Sequence, residues 1–211
     1  MRRSAVAARR KKQILEGLFA AIARKGFSAC SVRDVARESG LACGALHYYF
    51  ENKEQMLVEL MRSLGERHLA GLREYRDRFE DPLDRILAVF RYHLVPDDEP
   101  SLERTRVWIE YWGYGVEAPE LRGVISEIQA AIRADIRADV QAGVRRGLFG
   151  SVDPEAAAVL LLSLVEGPML QRTYGHRSPE GSQLASELRA LVERYLGKRV
   201  ARARHGRREK P

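Results

Sequence analysis

The sequence of 211 residues has few cysteines and no long apolar segment. Its two cysteines, Cys30 and Cys43, match neither a metal-ligand spacing nor a disulfide framework, which is typical of a reducing compartment. The most apolar stretch, residues 156–165, is about half as long as the ~20 residues that span a bilayer. No apolar signal segment follows the basic N-terminus, so we expect a cytoplasmic protein without a membrane partner.

The sequence also lacks the short motifs that mark common catalytic sites. It contains no nucleophile elbow, phosphate-binding glycine loop, zinc-ligand spacing or dinucleotide fingerprint. We therefore predict no catalytic residues, no metal and no cofactor. A small-molecule enzyme with a helical substrate domain stays open as an alternative, but no motif supports it.

Charge is abundant and unevenly distributed. The net charge is +7, with +6 on residues 1–55, +6 on residues 198–211 and −5 on the segment between them. Basic ends on an acidic middle favour contact with a polyanion, and nucleic acid is the obvious candidate. The alternative is that each basic run is simply a solvated surface.

The spacing of apolar residues predicts helices almost throughout, and no Asn-Gly or Asp-Gly hairpin signal occurs. A first helix is expected over about residues 4–25, with an inner face formed by Ile14, Leu15, Leu18, Phe19 and Ile22. Ser31 is a cap for a second, short helix that ends at Gly40. Asn52, followed by Gln55, begins a long helix to about residue 79.

About five further helices are expected, of which the last two span about residues 153–174 and 179–196. Asp153 and Ser178 each precede a proline and a glutamate, which is a helix-start pattern. Residues 198–211 contain too few apolar side chains to fold alone. The fold class is therefore all-α.

Two short helices joined by a tight turn at Gly40 have the pattern of a helix-turn-helix. Val32, Val35 and Ala36 form the inner face of the first, and Leu46 with Tyr49 or Phe50 forms that of the second. Periodicity alone also allows an αα-corner that has nothing to do with nucleic acid.

The residues themselves resemble the DNA-binding domain of the TetR family of bacterial transcriptional repressors. The similarity covers about Ile14–Leu60 and is carried by Ser31-Val32-Arg33-Asp34-Val35-Ala36-Arg37-Glu38-Ser39-Gly40-Leu41, then Gly44-x-Leu46-x-x-Tyr49-Phe50-x-x-Lys53-Glu54-x-Met56-Leu57. The resemblance implies a ligand-responsive homodimer that binds a palindromic double-stranded DNA operator, most often as a repressor. A protein that coats DNA without sequence preference is the alternative.

The same resemblance implies roles for individual residues. Ser31 and Arg33 are expected to contact phosphate, and Tyr49 and Lys53 the DNA backbone. The expected groove-facing residues are Gly44, Ala45, His47 and Tyr48, and Ala42 and Cys43 are also counted among the DNA-binding positions.

Two of those positions depart from the family pattern. Ala42 stands where a hydroxyl residue usually caps the recognition helix, and Cys43 where a base or phosphate contact is usual. Much of the affinity should then come from phosphate contacts, including those of residues 9–12. A redox role for Cys43 is a further hypothesis.

The second half is similar to the C-terminal domain of the BetI-like branch, whose best-known members respond to choline-related compounds. The similar segments are residues 106–112, 119–122 and 164–167. We predict a small-molecule effector site formed by Trp108, Tyr111, Trp112, Glu166 and Met169. The faces of its aromatic rings would suit a cation. The alternatives are core packing for the aromatic residues and a paired carboxylate at a dimer interface for Glu166.

Homodimerisation is expected through the last two helices, whose apolar residues are Val159, Leu160, Leu162, Leu164, Met169, Leu184, Leu188, Leu191 and Tyr195. An intramolecular bundle is the alternative. The expected domains are a DNA-binding domain over 1–52, a ligand-binding and dimerisation domain over 53–197, and a basic tail over 198–211. The tail either stays disordered or adds phosphate contacts.

Overall fold

The computed structural model describes residues 2–94, 99–175 and 181–197. In these residues the chain forms nine helices and no strand, which confirms the all-α prediction. The helices are α1 (Arg2–Lys25), α2 (Val32–Ser39), α3 (Cys43–Tyr49), α4 (Lys53–Arg76), α5 (Pro82–Leu94), α6 (Glu99–Gly115), α7 (Pro119–Arg145), α8 (Pro154–Thr173) and α9 (Gly181–Tyr195).

The short helices α2 and α3 begin and end where the sequence indicates. Ser31 and Asp34 form the expected capping box at the start of α2. Gly40 ends α2 at φ 67°, a left-handed conformation that suits glycine. Ala42 precedes α3 without a side-chain cap, so α3 depends on packing for its stability.

Helix α4 connects the first three helices to the rest of the molecule. Asn52 caps it by accepting a hydrogen bond from the Gln55 amide, as the sequence predicts. It ends at Arg76 rather than near residue 79, because the chain turns there and Asp81 then caps α5 through the Leu83 amide. Its buried residues include Leu57, Leu60 and Leu72, so both halves of the molecule pack against α4.

A continuous apolar core runs from α1 to α9, and α7 packs against α4, α5, α6 and α8. Where α4, α5 and α7 meet, the buried Arg76 donates to Asp139 at 2.5 Å, and Arg85 donates to the other Asp139 oxygen at 2.9 Å. Both oxygens of this buried carboxylate are therefore satisfied, as a charge out of water requires.

Helix α8 begins as expected, because Asp153 accepts a hydrogen bond from the Ala156 amide at 2.7 Å. The expected cap at Ser178 and the basic tail 198–211 lie outside the described residues. No helix in the described segments is long and apolar enough to cross a membrane.

Candidate nucleic-acid interface and cavity

The outer face of α3 is exposed to solvent while its inner face is anchored in the core. Leu46 and Phe50 are 0% and 1% exposed, whereas Tyr48 is 82% exposed. His47 and Gly44 are also exposed, and Tyr49 is half-buried with its ring 4.9 Å from that of Tyr48. The helix thus presents a small, nearly uncharged surface on a rigid base.

The remaining predicted groove residues differ in their access to solvent. Ala42 is exposed, while Cys43 and Ala45 are half-buried. Cys43 packs against the apolar core, which is the position of a small apolar side chain. By contrast, Cys30 is buried, and burial raises the pKa of its thiol.

The start of α2 is held by a network around the Asp34 carboxylate. Lys25 donates to it at 2.6 Å, the Ser31 hydroxyl at 2.6 Å and Arg37 at 2.9 Å. The hydrogen bonds from Lys25 and Ser31 hold the pKa of Asp34 well below its usual value. Ser31 therefore positions α2 whether or not it also contacts phosphate.

The basic residues near the helix-turn-helix fall into two groups. Arg9, Arg10 and Arg33 are exposed and form no ion pair with any residue that the structure describes. Lys11 is paired with Glu59 at 2.8 Å, and Lys12 with Glu16 at 3.8 Å. Within residues 9–12, the free positive charge therefore belongs to the two arginines.

The Lys53 side chain makes contacts inside the protein that the sequence did not reveal. Its ammonium donates to the carbonyl oxygens of Phe27 at 2.9 Å and Cys30 at 2.6 Å, and it lies 5.0 Å from the Phe27 ring centroid. Two of its three N–H donors are thus engaged. Lys53 therefore ties α4 to the segment before α2, and its contact with the DNA backbone stays a prediction.

Helix α6 contacts the same segment. Phe27 donates its amide proton to the Glu110 carboxylate at 3.1 Å, and its ring packs against Tyr114 at 4.3 Å and Tyr111 at 5.8 Å. Tyr111 is 0% exposed and lines neither of the two cavities described below, which favours the core-packing alternative for this residue. Its position at i+3 from Trp108 did not indicate this difference, because Trp108 lines the cavity whereas Tyr111 packs on Phe27 in the segment between α1 and α2.

A large open cavity of about 1040 Å³ lies among α1, α4, α5, α6 and α8. Its apolar lining is formed by Ala8, Leu15, Phe19, Leu60, Leu64, Trp108 and Met169, and its charged lining by Lys11, Lys12, Glu16, Arg67, Arg91, Glu103 and Arg104. Leu15 and Phe19, expected in the inner face of α1, are therefore half-buried wall residues. The volume of this cavity is close to that of small-molecule sites in proteins.

A second pocket of about 40 Å³ adjoins the cavity, and the two share His68, His93, Trp108 and Met169. Trp112 and Glu166 line only this smaller pocket. Gln129 of α7 donates to the Glu166 carboxylate at 3.0 Å, and burial raises the pKa of Glu166. The partner of Glu166 is thus a residue of its own chain. Four of the five predicted effector residues line these two spaces.

Two histidines that line the cavity were not predicted from the sequence. His68 and His93 face each other with 2.9 Å between their Nε2 atoms. Because His93 Nδ1 lies 2.7 Å from the Val89 carbonyl oxygen, it must donate, so His93 Nε2 accepts from His68. Burial lowers the pKa of both, that of His68 to about 3. The pair is therefore neutral near pH 7.

A helix-turn-helix with an exposed recognition helix, joined to a helical bundle, is the architecture of a class of DNA-binding regulators. Residues 14–60 match the model of the tetR family of bacterial regulatory proteins, and residues 82–200 match the C-terminal domain of BetI-type transcriptional repressors. The chain belongs to the tetR family and carries a BetI-type C-terminal domain, so it is a DNA-binding transcriptional regulator and not an enzyme.

Individual relatives agree with this assignment. The transcriptional regulator PksA of Bacillus subtilis is 28% identical over 50% of this chain and 51% of its own length. A BetI regulator of Stenotrophomonas maltophilia is 27% identical over 53% of this chain and 57% of its own, so these two matches span little more than half of each relative. BetI of Vibrio campbellii is 24% identical over 90% of this chain and 92% of its own.

Solved structures share the fold. A transcriptional regulator from Saccharomonospora viridis in complex with choline has a TM-score of 0.80 at 22% identity, and covers 88% of this chain and 96% of its own. AibR, in complex with isovaleryl coenzyme A and operator DNA, has a TM-score of 0.64 at 20% identity over 87% and 97%. At these identities the likeness shows a common architecture.

Proposed function

We propose that this protein is a homodimeric repressor that binds a palindromic operator and releases it when a small molecule occupies the 1040 Å³ cavity. The observation that carries this proposal is the course of α4. The helix begins at Lys53, next to the recognition helix, and its middle supplies Leu60, Leu64 and His68 to the cavity wall. A ligand that displaces α4 therefore also moves the helix-turn-helix.

For operator reading, we propose that His47 and Tyr48 contact base edges and that Gly44 permits close approach. Both side chains are exposed on α3 and can donate or accept hydrogen bonds in a major groove. Arg9, Arg10 and Arg33 supply the attraction to phosphate, because their charges are not neutralised by described partners.

The operator proposal is tested by fluorescence anisotropy with the promoter segment upstream of the protein's own gene and a random duplex of equal length. We expect at least a thousandfold preference at physiological salt. His47→Ala and Tyr48→Ala should each lower this preference by about 1–3 kcal/mol while leaving random-duplex binding unchanged. Equal affinity for both duplexes would identify a protein that coats DNA without sequence preference.

For dimerisation, we propose that α8 and α9 pair with their copies in a second chain. Leu162, Met169 and Leu188 are buried in the chain's own core, whereas Val159, Leu160, Leu170, Tyr174, Leu191 and Tyr195 are 38–73% exposed. Exposed apolar side chains on two consecutive helices of the chain are what an isologous four-helix interface requires.

Leu160→Glu tests this interface, because Leu160 is 51% exposed and its substitution perturbs the chain's own core little. We expect light scattering after size exclusion to give a dimer for the unmodified protein and a monomer for the variant. Operator binding should be lost with the dimer, since one half-site supplies only half of the contacts. A dimeric Leu160→Glu protein would place the interface elsewhere.

A further inference from the structure

The cavity has a charge that does not suit a cationic ligand. Its described lining contains five basic side chains and two acidic ones, and the histidine pair adds no charge near pH 7. A choline-like cation, which the aromatic residues alone favour, would meet a net positive wall. The charge and the aromatic content therefore point to different ligands.

The basic side chains differ in how far they are neutralised. Lys11 and Lys12 have carboxylate partners. Arg67 donates to its own helix at the Ser63 carbonyl oxygen, and Arg91 lies 5.7 Å from the Phe79 ring centroid. Arg67, Arg91 and Arg104 form no ion pair with a carboxylate among the residues described.

These three arginines come from α4, α5 and α6, so they border one cavity from three sides. Arg104 lines the same cavity as His68 and Tyr92. Three guanidinium groups in the lining of one partly apolar cavity attract a carboxylate or phosphate, whose oxygens match their paired N–H donors.

The rest of the lining shows what accompanies the charged group. Phe19, Leu64, Trp108 and Met169 form an apolar wall, and Trp108 and Met169 continue it into the smaller pocket. A fully hydrophilic anion would leave this wall in contact with water. An apolar body attached to the anion would cover it.

We propose that the cavity selects an amphipathic organic anion, whose carboxylate or phosphate is held by Arg67, Arg91 and Arg104 and whose apolar part packs on Phe19, Leu64 and Trp108. This inference rests on the proposed function in one respect, since it takes the cavity as the effector site. It departs from the cation that the sequence suggested.

The test uses four probes with the same ten-carbon alkyl tail: undecanoate, decyl phosphate, decanol and decyltrimethylammonium. The chain has two tryptophans, Trp108 and Trp112, and both line the cavity or its adjoining pocket, so tryptophan fluorescence of the full-length protein reports binding. We expect at least one anion to bind about tenfold or more tighter than decanol, and the cation to bind most weakly. Comparison of the two anions identifies the preferred head group.

Arginine variants then locate the head group. Arg67→Gln, Arg91→Gln and Arg104→Gln should each weaken anion binding about five- to tenfold and leave decanol binding unchanged. Unchanged decanol binding shows that the variant is folded. Arg122→Gln, an exposed arginine of α7 outside the cavity, is the matched control and should bind like the unmodified protein.

The proposal is overturned if neither anion binds tighter than both decanol and decyltrimethylammonium, or if the three variants bind the anion like Arg122→Gln. Adding the better anion to the protein–promoter complex separates the two proposals. Arginine-dependent anion binding that leaves DNA binding unaltered supports the anion site and contradicts the effector function. Release of DNA by the cation, bound in the same cavity, would support the effector function and contradict the anion site.

Discussion

Lys53→Met separates a positioning role for this lysine from a phosphate-binding one. The substitution keeps the apolar stem but removes two hydrogen bonds from a charged donor, at 2.9 and 2.6 Å, and one contact with the Phe27 ring. Charged hydrogen bonds contribute about 1.5–3 kcal/mol when buried and less at a half-buried site. Removing a positive charge from the first turn of α4 returns about 0.3–1 kcal/mol.

The losses exceed the gain, so we expect a net destabilisation of about 2 kcal/mol. In a chain of this length that lowers Tm by about 4–8 °C, which differential scanning calorimetry measures directly. Operator affinity should fall as well, because the segment that precedes α2 loses its tie to α4.

The salt dependence of DNA binding discriminates between the two roles. A phosphate contact made once per protomer contributes about 1.8 to the slope of log K against log salt for a dimer. We expect Lys53→Met to leave the slope unchanged, since two of its N–H donors are already engaged. Arg33→Gln is the comparison: it should reduce the slope by about 1.8 and leave Tm unaltered.

A reduced slope together with an unaltered Tm for Lys53→Met would refute this reasoning. It would mean that the ammonium leaves its two carbonyl partners and binds phosphate in the complex.

Two further predictions concern packing and protonation. A Cβ at Gly17 would lie 2.7 Å from Ser39, so Gly17→Ala should destabilise the protein by about 1–2 kcal/mol. A Cβ at Gly123 would have open space around it, so Gly123→Ala should stabilise the protein by about 0.5–1 kcal/mol. Urea unfolding measures both changes in the free energy of unfolding. The pKa of His68 and His93 is lowered in the folded state, so the unfolded state binds more protons below pH 6.5. The free energy of unfolding should fall by up to about 1.4 kcal/mol per pH unit per histidine as the pH drops from 6.5 to 5. The His68→Gln variant should show a weaker dependence on pH. A Tm that does not change with pH in this range would show that the pair is not buried and neutral.

The local parts of the fold could be predicted because their causes lie close together in the chain. Ser31 with Asp34, Asn52 with Gln55 and the left-handed Gly40 each act within one helical turn, and the structure has all of them. The helix-turn-helix followed from these signals and from the apolar faces they delimit. Its assignment to a family rested on residue identities rather than on periodicity.

The cavity could not be predicted in the same way, because its lining combines residues from five helices. His68 and His93 are 25 positions apart, and neither stands in a pattern that indicates a pair. Tyr111 illustrates the same limit of local spacing: its distance from Trp108 along α6 indicated a shared pocket, yet its ring packs on Phe27 in the segment between α1 and α2. Helical spacing predicts which residues share one side of a helix, but not which part of the protein packs on that side.

Under the proposed function, helix α1 offers a short connection between a ligand in the cavity and the DNA-binding helices. Ile14, Leu18 and Ile22 fix one side of α1 in the core shared with α2 and α3, while another stripe faces the cavity, at Ala8, Lys11, Lys12, Leu15, Glu16 and Phe19. These positions recur at three- and four-residue intervals. The side of α1 that lines the cavity and the side that packs on α2 and α3 therefore belong to one rigid helix. Lys11 strengthens the connection, because it lines the cavity while its ammonium pairs with Glu59 of α4 and lies 5.0 Å from the ring of Phe50, which ends α3. Under the proposed function, a ligand that shifts α1 would therefore disturb the contact of Lys11 with Phe50 at the end of the recognition helix.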